Sequence, residues 1–243
     1  MSSEKGYKEH RVKVLFPDPN VIDWPHKLLP KPPLRLCIVS PSNTGKSVLT
    51  SFMFSSDAMP YKKYFGSNVF IFSSTANLGS MNMPHVKKEN IYDSFDVKVI
   101  QSLWEEQNLL IEKYGRKRTV PILLIFDDVV SDLNATQKGI FKSLAMHGRH
   151  SGFSWALCSQ QYRSIPKPVR MNCTNLIILN LSSAAERRSI SEEQAFHEKR
   201  FLSIVDDALD DEEYSFLVIN YANSKERKLQ LRFSNRFYDP DPE

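Results

Sequence analysis

The stretch from residue 34 to residue 50 constrains the fold of this chain more than any other. It begins with the apolar, branched run Leu34–Val39, which is typical of a buried strand. The segment Ser40–Ser47, SPSNTGKS, then follows the phosphate-loop pattern G-x-x-x-x-G-K-[ST], with Ser40 where the first glycine is usual. The apolar residues behind the loop predict a helix. A strand, a loop and a helix in this order predict the nucleotide-binding unit of an α/β protein.

The loop motif assigns a chemical task to several of its residues. In such loops the backbone N–H groups surround a phosphate, and the helix that follows points its positive end at it. Lys46 would reach the β- and γ-phosphates, the Ser47 hydroxyl would bind Mg²⁺, and Gly45 would let the backbone approach closely. The predicted nucleotide-binding residues are Ser42, Asn43, Thr44, Gly45, Lys46, Ser47 and Val48.

The composition is that of a globular protein. A chain of 243 residues with 41% hydrophobic residues can bury the core of one α/β domain. The net charge of +4 permits an anionic partner without identifying one. The three cysteines lie in or beside apolar runs without metal-site spacing, which predicts reduced core thiols. The longest apolar run, Ile122–Phe126, is too short to span a bilayer, so we expect a soluble intracellular protein.

Apolar runs and helical periodicity alternate along the chain. Further strands are predicted at Asn68–Ser73, Val120–Asp128, Ser154–Gln161 and Asn175–Leu181, helices from Ile100 to Tyr114 and at Asp132–His147 and Gln194–Leu209, and a terminal hairpin from Tyr214–Tyr221 and Lys228–Phe233. Residues 74–92 are polar and predict a long surface loop. This alternation predicts an α/β fold with a mostly parallel central sheet and helices on both faces.

Prolines set the first part of the chain apart. Residues 1–33 predict an extended N-terminal strap, and residues 34–243 predict one P-loop ATPase domain. Within the strap, Arg11–Phe16 alternates polar and apolar residues and could form an edge strand. Trp24 could cover the core or a nucleotide base, and covering the core is the favoured alternative.

Two acids end the predicted strand Val120–Asp128. In open α/β sheets, ligands bind at the carboxyl ends of the strands. Asp127 is predicted to hold Mg²⁺, directly or through water, and Asp128 to orient or deprotonate the attacking water. An apolar run that ends in two acids is weak evidence for a catalytic site on its own, because a solvated turn after a buried strand gives the same pattern. Its place after a phosphate loop, separated from it by another strand and a helix, makes it informative.

Three further side chains are candidates for the same site. Gln160 ends the next strand and could sense the γ-phosphate or position the water, unless it only caps backbone. Arg149 stands in the sequence between the acid pair and this strand, and Arg188, with its neighbour Arg187, follows the fifth strand. An arginine at either place could neutralise charge on the transferred phosphoryl group. For each arginine, an ordinary surface position is the alternative.

Several motifs together resemble a known superfamily. The segments GRHSGFS at 148–154, CSQ at 158–160, NC at 172–173 and SSAAERR at 182–188 resemble the FtsK–HerA superfamily of DNA-pumping ATPases. More narrowly, residues 34–190 resemble the genome-packaging ATPases of poxviruses, other large eukaryotic DNA viruses and virophages. The resemblance implies an additional strand between the phosphate-loop strand and the acid-pair strand. It also implies ATP and Mg²⁺ as ligands, and a homo-oligomeric ring, pentameric or hexameric, with arginine fingers across subunit interfaces.

The resemblance has further implications for function. It implies that ATP hydrolysis drives double-stranded DNA into a preformed capsid. The partners would be double-stranded DNA and a capsid or portal component. The location would be the infected-cell cytoplasm or a viral factory, with a possible association with the virion.

Two basic runs are candidates for contact with DNA. The first contains Arg116, Lys117 and Arg118, and the second, directly after the Gln160 strand, contains Arg163, Lys167 and Arg170. Basic side chains pair with backbone phosphates without reading bases. For the first run, a solvated helix end is the alternative. The second run is better placed to couple hydrolysis to movement.

Two other functions remain open from the residues alone. A small-molecule P-loop kinase would need a mobile lid with arginines, and that fold lacks a strand ending in glutamine between the loop and acid-pair strands. A non-enzymatic nucleotide-binding assembly factor would not need Asp128 and Gln160.

Overall fold

The computed structural model describes residues 24–75, 81–129, 133, 135–181, 183–194 and 196–239. The strands are β1 (Arg35–Val39), β2 (Val69–Ser73), β3 (Ile91–Tyr92), β4 (Ile122–Asp127), β5 (Phe153–Ser159), β6 (Asn175–Leu179), β7 (Phe216–Asn220), β8 (Leu229–Leu231) and β9 (Phe237–Tyr238). The helices are α1 (Lys46–Ser55), α2 (Tyr61–Phe65), α3 (Val97–Tyr114), α4 (Ala135–His147), α5 (Lys167–Arg170), α6 (Ala184–Glu193) and α7 (Glu198–Asp210).

Within these ranges the strands form one sheet in the order β3-β2-β4-β5-β1-β6-β7-β8-β9. The strands from β3 to β6 in this order are parallel, and β7, β8 and β9 continue the sheet with antiparallel pairing. β5 pairs in parallel with both β1 and β4, so it is the additional strand that the family resemblance implies. The α/β fold and the C-terminal hairpin are therefore confirmed, and β9 extends the hairpin.

Side chains of the central strands are buried on both faces of the sheet because helices cover both. Alternate residues of a strand point to opposite faces. On one face Cys37 and Val39 of β1 join a core with side chains of α3, α4, α6 and α7. On the other face Leu36 and Ile38 join a second core with side chains of α1 and α2. The predicted placement of helices on both faces is confirmed.

The long helix α3 has clear start and stop signals. Oδ1 of Asp96 accepts hydrogen bonds from the N–H groups of Lys98 (2.8 Å) and Val99 (3.2 Å), which is N-capping. Gly115 follows the last helical residue with a φ of 80°, a conformation that favours glycine. The predicted stop at Gly115 is confirmed, and the basic run that begins at Arg116 therefore lies at the amino end of β4.

Three differences between the predicted and the observed elements are the most informative. The predicted loop at 74–92 contains the edge strand β3, and Met81 and Met83 in it are buried. The predicted helix Gln194–Leu209 is wrong at its start, because α7 begins at Glu198. Helix α6 was not predicted, because its polar sequence AAERRSISEE places only Ile190 among large apolar side chains in the core. The Ser183 hydroxyl that accepts from the Glu186 N–H marks its start.

The described part of the N-terminal segment packs on α2. The ring of Trp24 stacks on that of Tyr61 with centroids 5.4 Å apart, and the Tyr61 hydroxyl donates to the carbonyl of Pro30 (2.7 Å). Trp24 thus covers the core, as favoured above. The edge strand predicted at Arg11–Phe16 lies outside the described residues, and the division at residue 33 stays a prediction. None of the described helices has both the length and the apolar character needed to cross a membrane.

Candidate active site

The phosphate loop connects the end of β1 to the start of α1. The Lys46 side chain is buried, and its Nζ donates to the carbonyl oxygens of Ser40 (2.7 Å) and Pro41 (2.9 Å). The ammonium group is therefore held inside the loop. Asn43 and Gly45 have φ values of 60° and 94°, in the left-handed region, and Gly45 meets this demand because it has no Cβ.

The serine at the first motif position has a structural role in the loop. Ser40 is fully buried, and its N–H donates to the carbonyl of Ser159 in β5 (3.1 Å). Its hydroxyl contacts the Thr44 hydroxyl, which itself donates to the carbonyl of Pro41 (2.7 Å). Ser40 therefore closes the loop through its side chain at the position where glycine is usual.

The first acid of the pair is buried beside the loop. Asp127 ends β4 with 3% exposure, and its Oδ2 accepts a hydrogen bond from the Ser73 hydroxyl (3.2 Å). Its Oδ1 is buried and has no hydrogen-bond partner among the described residues. Burial, followed by the charge of Asp128, raises the pKa of Asp127, while Ser73, Lys46 and the Ser47 hydroxyl act in the opposite direction. The two predicted metal ligands, Ser47 and Asp127, therefore lie close to each other.

The second acid faces the predicted glutamine. Asp128 is exposed and has a φ of 54°, and its N–H donates to the Cys158 carbonyl in β5 (3.1 Å). Gln160 Nε2 donates to Asp128 Oδ2 (3.1 Å). The structure thus brings Asp128 and Gln160 together at the carboxyl ends of two adjacent parallel strands, next to the loop.

Arg149 does not join these residues within one chain. It lies in the turn Gly148–Ser151 at the amino end of β5, whereas Gln160 follows the carboxyl end. Seven residues of extended strand separate the two ends by roughly 20 Å. Arg149 instead lies near Arg35, the first residue of β1. Its cation is at the opposite end of the sheet from the loop of its own chain.

Helix α6 contains two arginines, Arg187 and Arg188, and it is Arg187 that lies near the phosphate loop. Arg188 is exposed and forms an ion pair with Glu198 (2.8 Å). Arg187 lines a cavity beside the phosphate loop, where it contacts the carboxylate of Asp206 and donates to the carbonyl of Leu181.

The first predicted DNA-contacting run is only partly free. The guanidinium of Arg116 packs so closely on Gly152 that a Cβ there would lie 2.6 Å from its Cζ, and it donates to the Thr119 carbonyl (3.4 Å). Lys117 and Arg118 are exposed. Arg116 therefore has a structural task, and its two neighbours are available to a partner.

The second run is divided in the same way. Arg170 forms an ion pair with Glu193 (2.6 Å), and its guanidinium also lies over the Tyr162 ring at 5.1 Å. The side chains of this pair are only 13% and 17% exposed, so Arg170 joins α5 to α6. Arg163 is exposed and hydrogen-bonds to α6, and Lys167 is exposed.

Two residues at the site were missed from the sequence. Ser73 ends β2 and pairs in register with Asp127, so a correct strand order would have pointed to it. Tyr214 is 68% exposed and borders a cavity of about 350 Å³ beside the loop. Its ring lies 3.6 Å from where a Cβ on Gly45 would stand. Tyr214 follows an acidic helix end, and no sequence pattern links it to the loop.

The fold and this arrangement define a class of protein. A phosphate loop after β1, an acid pair after β4 and a glutamine after the strand between them are the features of a P-loop NTPase. The chain belongs to the Poxvirus A32 protein family, whose model matches residues 23–230. The resemblance to the poxvirus branch that the sequence motifs indicate is thereby confirmed.

Individual poxvirus proteins are similar to this chain in sequence. The DNA packaging protein OPG160 of variola virus is 27% identical over 155 residues, which are 63% of this chain and 55% of that protein. The protein of the same name from vaccinia virus strain Copenhagen gives the same values, and that of monkeypox virus is 26% identical over 49% of its length. The chain thus matches about half the length of these relatives.

Solved structures show the same fold. The genome packaging NTPase B204 of Sulfolobus turreted icosahedral virus 2, in complex with AMPPCP, has a TM-score of 0.56 and 17% identity, over 83% of this chain and 97% of that one. EssC (ATPases 2 and 3) of Geobacillus thermodenitrificans has a TM-score of 0.57 and 17% identity, over 87% and 41%. At these identities the likeness is one of fold.

Proposed function

We propose that this chain is an ATP-driven motor that moves double-stranded DNA into a preformed viral capsid in the infected cell. One observation carries the proposal: the ends of three adjacent parallel strands bring Lys46, Ser47, Asp127, Asp128 and Gln160 to one place. The chain belongs to the Poxvirus A32 protein family, and its relative in variola virus is named a DNA packaging protein.

The residues at the metal position fit Mg²⁺. A buried carboxylate oxygen without a donor is costly unless a cation or a hydrogen bond compensates it, and Asp127 Oδ1 is such an oxygen. Oxygen ligands are those that Mg²⁺ prefers. Ser47 and Asp127 would hold the ion, directly or through water, and Ser73 would orient Asp127. When bound, Mg²⁺ neutralises charge on the phosphate oxygens.

The other side chains account for hydrolysis. The water oxygen attacks the γ-phosphorus, the bond to the β–γ bridging oxygen breaks, and ADP and phosphate are released. Asp128 orients this water and accepts its proton, and the Gln160 amide holds the carboxylate in place. The Nζ of Lys46 donates hydrogen bonds to loop carbonyls, and would donate them to phosphate oxygens when ATP binds.

The nucleoside would lie in the cavity of about 350 Å³ beside the loop. The cavity joins loop residues Asn43 and Thr44 to the ring of Tyr214. An exposed aromatic ring there offers a nucleobase a stacking surface.

Arg149 would act on the ATP of a neighbouring subunit. It lies at the amino end of the sheet, so a head-to-tail ring of five or six subunits would bring it to the next subunit's phosphates. The exposed Arg188 remains a second candidate for this role.

Val48 and Phe52, one turn apart on α1, are 72% and 47% exposed, and an interface between subunits would cover them.

The experiment that tests this site is ATP turnover by matched lysine variants. Lys46→Ala should abolish binding or turnover because it removes the charge that faces the phosphates, whereas Lys63→Ala, at an exposed position of α2, should not. In the same assay Tyr214→Ala should raise the KM for ATP. Absence of phosphate release from the unmodified protein would contradict the proposal and leave an assembly factor without catalysis. Phosphate release that Lys46→Ala does not change would contradict it as well, because hydrolysis would then not use the phosphate loop.

A further inference from the structure

A second cavity lies at the end of the sheet opposite the phosphate loop. It has a volume of about 480 Å³. Its base is formed where β1 and β6 begin and β7 ends, at Arg35, Asn175 and Asn220, of which Asn175 and Asn220 are register partners. The segment before β1 lines one side, and the turn with Arg149 and His150 lines the other.

The charge of this cavity is of one sign. Lys27, Lys31, Arg35 and Arg149 line it, and the described lining residues include no Asp or Glu. Burial, and after it the positive charge of Arg149, lowers the pKa of Arg35. Cations gathered in a recess without a carboxylate attract an anion, because the low-dielectric walls strengthen the field.

Two buried donors at the base lack an acceptor. Asn175 is 2% exposed, and its Nδ2 has no hydrogen-bond partner within the described ranges; the same holds for Nε of Arg35. Leaving such donors unpaired costs stability, and both groups are suited to an acceptor-rich ligand. The guanidinium fork in particular matches the oxygens of a phosphate.

The wall formed by the N-terminal segment is fixed in place. The carbonyl of Pro30 accepts a hydrogen bond from Tyr61, and that of Leu28 accepts one from Gln230 Nε2 (3.3 Å). Trp24 stacks on Tyr61. This wall of the cavity is therefore held in position by hydrogen bonds and by ring stacking.

We propose that this cavity is a second phosphate site, separate from the phosphate loop, which binds the terminal phosphate group of a nucleotide or of a DNA end. A recess of this size admits a terminal phosphate down to Arg35 and Asn175, whereas a continuous duplex backbone would meet only rim residues such as Lys27 and Lys31. This site goes beyond the proposed motor function and does not require ATP hydrolysis. Arg149 contributes to it in a free chain, and would leave it when it contacts the ATP of a neighbouring subunit.

The test uses the full chain with Lys46→Ala, which silences the phosphate loop. Calorimetric titration with inorganic phosphate should still show one site. Adding Asn175→Asp, a nearly isosteric change that puts a carboxylate at the base, should weaken this binding by roughly tenfold or more. Gln101→Glu makes the same chemical change at an exposed position of α3 and should have no effect. The proposal fails if Lys46→Ala binds no phosphate, or if Asn175→Asp binds it as Gln101→Glu does.

A second variant keeps the test valid if the first variant does not fold. Further ligands show whether the bound phosphate belongs to a nucleotide or to a DNA end. If Asn175→Asp does not fold, Arg149→Ala, at an exposed position, should show the same weakening of phosphate binding. Tighter binding of a short duplex with 5′-phosphates than of one without them assigns the site to DNA ends. Competition between AMP and inorganic phosphate, with no difference between the duplexes, assigns it to nucleotides. If neither AMP nor the phosphorylated duplex competes with phosphate, the proposal is overturned.

Discussion

Asp127 is the residue at which stability and the proposed function oppose each other. Its carboxylate is almost completely buried, and the Ser73 hydroxyl and the neighbouring Ser47 satisfy it only in part. A buried charge of this kind destabilises a folded protein unless a cation compensates it. Such conflicts occur at functional sites, where a ligand completes the interactions. Burial, and after it the charge of Asp128, raises the pKa of Asp127.

Asp128 provides the residue-scale prediction. Asp128→Asn should retain ATP and Mg²⁺ binding but lose hydrolysis by roughly 10²-fold or more, because the amide cannot take a proton from water. Single-turnover phosphate release and nucleotide affinity are measured side by side. Asp57→Asn, which removes an exposed carboxylate outside the site, is the control. Unchanged turnover in Asp128→Asn would assign the base to another carboxylate.

The site residues differ in how far the sequence could place them. Lys46 and Ser47 lie within one continuous motif, and Asp128 and Gln160 each follow an apolar strand, so local pattern and the strand-end rule suffice. Arg149 lies between the same strands in the sequence but at their opposite end in space. Arg170 was a candidate for DNA contact, yet its partner Glu193 is on another helix, and no local pattern reveals such an ion pair.

At the scale of elements, β5 sets the positions of the site residues that follow β1, β4 and β5. Its register sets Ser159 beside Val39 of β1, and Cys158 beside Asp127 of β4. The three strands therefore end at one level, and the side chains that follow them converge. The strands themselves could be read from apolar runs, whereas the place of β5 between β1 and β4 followed only from the family resemblance. The polar helix α6 escaped prediction because its burial depends on a neighbouring helix and not on periodicity.

The turn between α3 and β4 gives the element-scale prediction. Replacing Lys117 and Arg118 by glutamine should flatten the slope of log DNA affinity against log salt by roughly 0.9 for each DNA phosphate that is no longer neutralised. Arg116 is left unchanged because it packs on Gly152. The control replaces Lys98 and Lys142, which are exposed and change the net charge equally. Equal slopes for both double variants would make the turn an ordinary solvated helix end.

At the scale of the whole molecule, the two ends of the sheet differ in charge. The amino end carries Arg35, Arg149 and the exposed Lys117 and Arg118. The carboxyl end carries Asp127, Asp128 and the acidic end of α7, which is partly paired with arginines. Opposite charges favour contact between unlike ends, so this polarity favours head-to-tail association over a symmetric dimer.

Mixing two inactive variants tests the association. If Arg149 serves the neighbouring subunit, Arg149→Ala and Lys46→Ala should each be inactive, because one lacks the finger and the other cannot use ATP. In a mixture, an intact Lys46 site can face an intact Arg149, and part of the activity should return. ATP turnover is measured across mixing ratios. A monomer that is fully active at high dilution would contradict the idea, because no neighbour could then supply the arginine.

The central claim is that ATP hydrolysis at this site is coupled to double-stranded DNA. The most direct test measures the ATP hydrolysis rate with and without duplex DNA while the particle mass is recorded, with Lys46→Ala as the inactive control. We predict that duplex DNA accelerates hydrolysis and that the active particle has several times the 28.0 kDa mass of the chain. An equal rate with and without DNA, from a particle of one chain, would contradict the account.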